Sequence, residues 1–280
     1  HLVPPGLLGA RKTRGRRGRY RAIPPVAIMF YSWPMDLPLI RVVPAPDLAA
    51  LLLFCAVWLG YGPAVRMLGR RGGRAINAGL PTVRVLWMRS AVLRDNRITD
   101  SALIGHVVHS ASFFASTSLI AIGTLIGVLS GLDRLMPALA GLAPALPTSR
   151  ELLEVKVLLP LAVLVHGLFK LTWALRQLNY TVALIGAMPP VPAAEAEGLA
   201  EAVGGVLSSA LTTFNAGTRS YYFALAAFGW LAGPYVLAAA GLGLMALLVH
   251  RQFLSDVSGR FATARLLIER AHGRGGQSPP

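Results

Sequence analysis

Hydrophobic positions along this chain run in long unbroken blocks rather than in stripes. No charged residue lies between Asp100 and Asp133, between Asp47 and Arg66, or between Arg219 and Arg251. A bilayer core of ~30 Å takes about 20 apolar residues as helix. A soluble helix buries one face and keeps charge on the other; these blocks have no charged face. The pattern predicts an all-α membrane protein.

The elements follow from where each block stops. A first span covers 48–65, with Pro63 near its end. A basic segment comes next, from Arg66 to Arg97. Within it Val83, Leu86, Trp87, Val92 and Leu93 suggest an interfacial helix, although Arg94 falls on its apolar side. A second span lies within 105–132 and a third over 157–175, continuing as helix to Tyr180. Pro189, Pro190 and Pro192 mark a break. From Ala193 to Gly217 the chain reads as an amphipathic helix, with Glu195, Glu197 and Glu201 near the start, where a helix dipole favours acids.

The last block, 221–250, is too long for one upright span, at roughly 43 Å as helix. Gly233-Pro234 divides it. It forms either one kinked helix or a hairpin whose first arm recruits residues before Arg219. Lysine and arginine collect in cytoplasmic loops. That rule places the first Arg-rich loop inside and the charge-poor stretch from Asp133 to Arg150 outside. The basic tail, with Arg251, Arg260, Arg265, Arg270 and Arg274, is then inside only if an odd number of spans is crossed. The expected architecture is a bundle of five transmembrane helices; the alternative is four, the last kinked at Pro234. The expected organisation is a basic, disordered arm over 1–46, a membrane domain over 47–253 and a basic cytoplasmic tail over 254–280.

Composition agrees. Hydrophobic residues make up 54% and charged residues 14%, mean hydropathy is +0.57, and the net charge of +15 is almost all arginine. Scarce lysine beside abundant Arg, Ala, Gly and Pro suggests a GC-rich genome, so the basicity is not taken as a nucleic-acid signal. Cys55 is the sole cysteine, which excludes an internal disulfide and a multi-Cys zinc site. The first 34 residues look foreign to the rest. Met35 is a natural start, and Arg16-Arg17 before apolar residues faintly resembles a twin-arginine signal, against which Pro24 and Pro25 argue. The expected location is the bacterial inner membrane.

Candidate chemistry is sparse. His166, Lys170, Trp173, Gln177 and Tyr180 recur at steps of four and three, within about 40° of one line on the third span. A polar stripe is costly against lipid, roughly 3 kcal/mol for a mid-bilayer Lys. It should face other helices or a wet cavity: as a solute or proton path, or as a structural seam with Lys170 snorkelling to the interface. On the second span Ser116, Gly123, Gly127 and Gly131 follow the same spacing, and small residues there suggest helix packing. His106, His109, His166 and His250 could ligate haem or a metal, but no carboxylate or thiolate stands at fixed spacing, and no metal or cofactor is assigned. No nucleophile elbow, P-loop, HExxH or dinucleotide fingerprint is present. The acids are too few for paired-carboxylate catalysis.

Three stretches, NRITDSALIGHVVHSASFFASTSLI from Asn96, FKLTWALRQLNYTVALIGAMP from Phe169 and FNAGTRSYYFALAAF from Phe214, resemble the integral membrane family called domain of unknown function 599. The resemblance covers about 47–253. It implies a multi-pass membrane protein and carries no activity over. The matching polar positions are Asn96, Arg97, Asp100, Lys170, Arg176, Asn179, Tyr180, Asn215 and Arg219; Leu168, Leu171 and Leu178 stand where the family typically has bulkier aromatics. In the five-span topology Arg97, Asp100, Arg176, Asn179, Asn215 and Arg219 fall near cytoplasmic helix ends. They could hold an anion or lipid headgroup through arginine forks. Equally, they could be architecture, with Asp100 pairing one Arg and helix-end carbonyls taking the other.

The reading from sequence is a non-catalytic accessory or interaction protein of the membrane. The alternatives are a small-solute or ion transporter using the third-span stripe, or a haem or metal redox protein. Expected partners are the bilayer, an anionic lipid, and a membrane protein or second copy of this chain, with no nucleic acid.

Overall fold

Strong end signals in the sequence become helix ends in the computed structural model, which describes residues 42–72, 76–134, 136–137, 149–189 and 193–275. Residues 1–41 of the arm expected over 1–46 and most of the connection after Asp133 lie outside the described residues, and the arm's last two residues, Ala45 and Pro46, belong to the first helix. The described chain is helical, with no strand among the described residues. The elements are α1 (Ala45–Gly72), α2 (Ile76–Val92), α3 (Ile98–Ser130), α4 (Arg150–Ala187), α5 (Ala193–Phe228), α6 (Pro234–Phe253) and α7 (Asp256–Gly275), with a 3-10 turn Gly229–Ala232 before α6.

Capping chemistry accounts for several of these ends. Ser149 caps α4, its hydroxyl accepting from the Leu152 N–H at 3.2 Å, which satisfies one of the orphan donors of the first turn. Asn96 Oδ1 accepts from the Ile98 N–H at 2.9 Å and turns the chain into α3. The proline break ends α4 at Ala187, and α5 begins at Ala193, where the amphipathic pattern starts.

Four helices are long and apolar enough to cross a membrane: α1, α3, α4 and the run opening with α6 at Pro234. Helix α5 does not meet that measure of length and composition, yet it lies along α4, and the basic tail returns to pack on the segment that follows α1, the side an odd number of passes reaches. The kinked-helix alternative for the last block is corrected. A Cβ on Gly229 would lie 3.4 Å from Val236 and 3.5 Å from Ala240, a proximity that a continuous helix forbids. The chain reverses at Gly233, whose φ of 127° suits glycine, and Pro234 opens α6 from a first-turn position that needs no N–H.

Helix α5 runs antiparallel to α4 along most of its length. Gly167 meets Ser220, Gly217 meets Leu171, and Gln177 meets Ser209. At 36 residues, α5 is ~54 Å long. It can carry hydroxyls, Asn215 and Arg219 because its neighbours α2, α4 and α6 cover much of its surface.

The core has two parts, and α5 threads both. One, around Phe54, Tyr61, Val163, Phe223, Trp230 and Leu237, joins α1 and α6 to the start of α4 and the end of α5. The other, around Met88, Ile104, Leu178, Ile185 and Leu207, joins α2 to the start of α3, the end of α4 and the start of α5. A buried polar knot sits in the first part. Trp230 Nε1 donates to Asp47 Oδ1 at 2.7 Å, and Lys156 Nζ lies 3.8 Å from the same oxygen. The basic tail begins as helix α7, which packs on α2: Phe261 and Arg265 close over Gly79, and Ser90 Oγ meets His272 Nε2 at 3.1 Å.

Candidate functional site: an arginine-lined cavity

The small-residue seam expected on α3 faces outward. A Cβ on Gly123 or Gly127 would meet nothing within 4 Å, one on Gly131 would meet only carbonyls of its own helix, and Ser116 is exposed. The packed face is the other stripe: Ile104, Ala111, Ala115, Ser118 and Leu125. Ser118 Oγ meets Tyr221 Oη of α5 at 2.7 Å, and Tyr221 also donates to the Phe114 carbonyl. Both stripes repeat at the same spacing; the packed one brings Ala111, Ala115 and Ser118 against its neighbours, small residues that allow close approach, while Phe113 and Ile120 face outward.

The stripe on α4 divides. His166 packs edge-on against Trp58 of α1, with ring centres 5.3 Å apart, and Gln177 Nε2 donates to Ser209 Oγ at 2.8 Å. Lys170, Trp173 and Tyr180 are exposed on the outer side of the bundle. His166, Lys170 and Trp173 line an open surface groove with Arg176, not an enclosed path through the bundle. The other candidate ligand histidines, His106, His109 and His250, are exposed. Among the described residues, no three of His, Cys, Asp and Glu come together as a metal group.

The polar set drawn from helix ends does not assemble as one cluster. Arg97 works as a clamp: its guanidinium donates to the Ala91 and Val92 carbonyls, each at 3.1 Å, and to the Met188 carbonyl. It thereby satisfies orphan acceptors at the ends of α2 and α4. Asp100 is fully buried, and its Oδ1 accepts from Trp87 Nε1 at 2.7 Å and Arg94 Nη1 at 2.6 Å. The acid's partner is therefore Arg94, from the turn just before it. Arg176 and Asn179 are exposed on α4. The antiparallel register sets Arg219 opposite residue 168, about 12 Å along the axis from Arg176. Only Asn215 and Arg219 share a site.

That site is a cavity of about 580 Å³ where the end of α1, the start of α2, the middle of α5 and α7 converge. It lies within the ~300–1,000 Å³ typical of small-molecule sites. Arg66, Arg84, Arg219 and Arg265 line it, one from each of those helices, and no carboxylate is among the described lining residues. Arg84 is 6% exposed and makes one hydrogen bond, to the Ser208 carbonyl at 3.3 Å. Burial pushes its guanidinium down to about 10, still protonated at neutral pH. The Arg219 guanidinium lies over the Tyr61 ring. Arg265 Nε is 3.0 Å from Glu269, so its charge is partly answered from its own helix.

Sequence reasoning missed Arg66, Arg84 and Arg265 because it took basic residues in this region as orientation signals. One signal was available: Arg84, Met88 and Ala91 fall on one face of α2 at steps of four and three, and all are buried.

No curated protein and no solved structure matches the chain. The resemblance noted from the sequence is met by a family match over residues 49–257, from the first apolar block to the start of α7. The chain belongs to the family described as protein of unknown function, DUF599.

Proposed function

We propose that this protein is a non-catalytic, multi-pass accessory protein of the bacterial cytoplasmic membrane that binds an anionic molecule in the arginine-lined cavity. One observation carries the reading: four guanidiniums from four helices surround one cavity with no carboxylate among its described lining residues. A buried cation without a counter-charge is costly. A bound anion removes that cost and is recognised by the forks at the same time. By the positive-inside rule, this end of the bundle faces the cytoplasm.

The test is thermal unfolding of the full chain in mild detergent, across phosphate, sulfate, succinate and acetate at constant ionic strength, with chloride as reference. A ligand that binds only the folded state at 100 times its Kd adds about 2.7 kcal/mol. At least one multivalent anion should raise the midpoint relative to chloride, and Arg219→Gln should remove the difference. Equal midpoints in all salts would overturn the proposal.

A further inference from the structure

We infer that the cavity's ligand is a phosphate ester, held through its phosphate by Arg84, Arg219 and Arg66. The inference rests on the anion reading above and adds the chemical class.

Geometry separates phosphate from carboxylate. A carboxylate offers two oxygens in one plane, which one or two arginine forks saturate. Here Arg66, Arg84, Arg219 and Arg265 come from α1, α2, α5 and α7, so they approach from several sides. A tetrahedral oxyanion presents acceptors in three dimensions and fits such an array; a planar one leaves forks empty. Asn215, beside Arg219 at the same wall, adds a neutral donor.

Charge points the same way. Arg265 is partly neutralised by Glu269, while Arg66, Arg84 and Arg219 have no carboxylate within ion-pair distance among the described residues. Such a group of cations calls for more than one negative charge, and a phosphomonoester carries −1.5 to −2 at pH 7. Arg84 uses one of its five N–H donors on protein, and that bond is long. Its remaining donors and its desolvated charge are what a phosphate oxygen satisfies.

Size and lining indicate an ester rather than the free ion. A space of about 580 Å³ far exceeds one phosphate, since even liquid water occupies only about 30 Å³ per molecule. The remaining walls include Val65, Leu80 and Pro81, which suit an uncharged body attached to the phosphate. That body is either a soluble metabolite or the glycerol end of a lipid. Both present the same phosphate chemistry.

The experiment uses the full chain, with two arms. In detergent, glycerol 3-phosphate and succinate are titrated separately, with binding read by thermal shift and by the 31P resonance of the ester. In nanodiscs, a phosphatidylcholine bilayer is compared with one containing phosphatidic acid. The expected result is protection by the phosphate compound, in either arm, at a concentration about tenfold below that of succinate. Protection by glycerol 3-phosphate assigns a soluble ester, and protection by phosphatidic acid alone assigns a lipid headgroup. Arg84→Gln and Arg219→Gln should each weaken it about tenfold or more. Arg66→Gln, at an exposed position, should weaken it with the unfolding midpoint unchanged, so the inference survives if a buried variant misfolds. Arg176→Gln, in the outer groove, should leave binding intact. Succinate protecting as well as the phosphate compounds overturns the phosphate class and leaves the anion reading standing. Loss of protection by every anion, together with indifference to Arg66→Gln, overturns both.

Discussion

The guanidinium of Arg219 sits 5.2 Å from the centre of the Tyr61 ring. This joins the middle of α5 to the last turns of α1 and fixes the plane in which the arginine presents its donors. A cation over an aromatic face is worth about 0.5–2 kcal/mol, more when water is excluded. The attraction depends on the ring and not on the hydroxyl. Tyr61→Phe should therefore leave anion binding and the unfolding midpoint close to those of the unaltered protein. Tyr61→Leu should lower the midpoint and weaken anion binding several-fold. Equal behaviour of the two variants would show that the ring does not position Arg219.

Titration of Arg84 gives a second expectation. Burial pushes its pKa down to about 10, so the folded state holds its proton less well than the unfolded chain does. That penalty grows as pH falls towards 10 and is complete below it. An anion bound beside Arg84 offsets the penalty and draws the pKa back up. Arg66, Arg219, Arg265 and Tyr61 share the cavity, so the tyrosine hydroxyl is removed to leave arginines as the titrating groups there. In a Tyr61→Phe background, anion affinity should be flat from about pH 7 to 9 and weaken towards pH 10. Affinity unchanged through that rise would mean that Arg84 is not a ligand.

Glycines on three helices separate packing from exposure. A Cβ on Gly167 would lie 2.7 Å from the Ser220 Cβ, and one on Gly217 would lie 2.7 Å from the Leu171 Cγ. Gly167→Ala or Gly217→Ala should destabilise the α4–α5 contact by about 1–3 kcal/mol through overpacking. Gly127→Leu on α3 meets open space and should change stability little. Unfolding in mild detergent distinguishes them. Destabilisation by Gly127→Leu alone would restore the outward seam as a packing face.

These glycines also mark the limit of what the sequence makes legible. Two stripes at the same spacing run along α3, each with small residues, and the spacing does not say which one faces inward. The break between α4 and α5 was legible because prolines and early acids act locally; the start of α4 at Arg150 and the run of α5 on to Phe228 were not. The chain reversal at Gly233-Pro234 was legible as a hairpin, because a cytoplasmic basic tail requires an odd number of crossings and Gly-Pro supplies the break. The cavity was half legible. Asn215 and Arg219 were singled out, but their partners Arg66, Arg84 and Arg265 come from sequence-distant helices. Arg176, expected near a helix end, lies about three turns inside α4 and on another face of the bundle.

The Asp100 carboxylate predicts a different outcome from the cavity. It is fully buried and accepts from Trp87 and Arg94, while its second oxygen has no protein partner. Asp100→Leu leaves the Trp87 N–H stranded and should cost about 1–3 kcal/mol. The Arg94 side chain is 46% exposed, so solvent screens it and its loss adds little. Asp100→Asn keeps an acceptor for Trp87 and should cost less. Neither change should alter anion binding once folded protein is selected. A large binding defect in folded Asp100→Asn would place the acid in the functional site.

The knot of Asp47, Lys156 and Trp230 tests whether a buried ion pair stabilises this fold or merely fits it. Both charged side chains are nearly inaccessible, 9% for Asp47 and 5% for Lys156, inside the apolar core of α1, α4 and α6. Removing one partner leaves the other charge buried and unanswered, typically a loss of about 3–5 kcal/mol. Removing both restores a consistent apolar interior. Asp47→Leu and Lys156→Met should each destabilise strongly. The double variant should recover much of the loss, short of the full amount because Trp230 Nε1 then lacks its acceptor at 2.7 Å. A double-mutant cycle on the unfolding midpoint reads the coupling directly. Additive losses would show that the 3.8 Å separation carries no interaction, leaving the Trp230 hydrogen bond as what holds Asp47 inside the bundle.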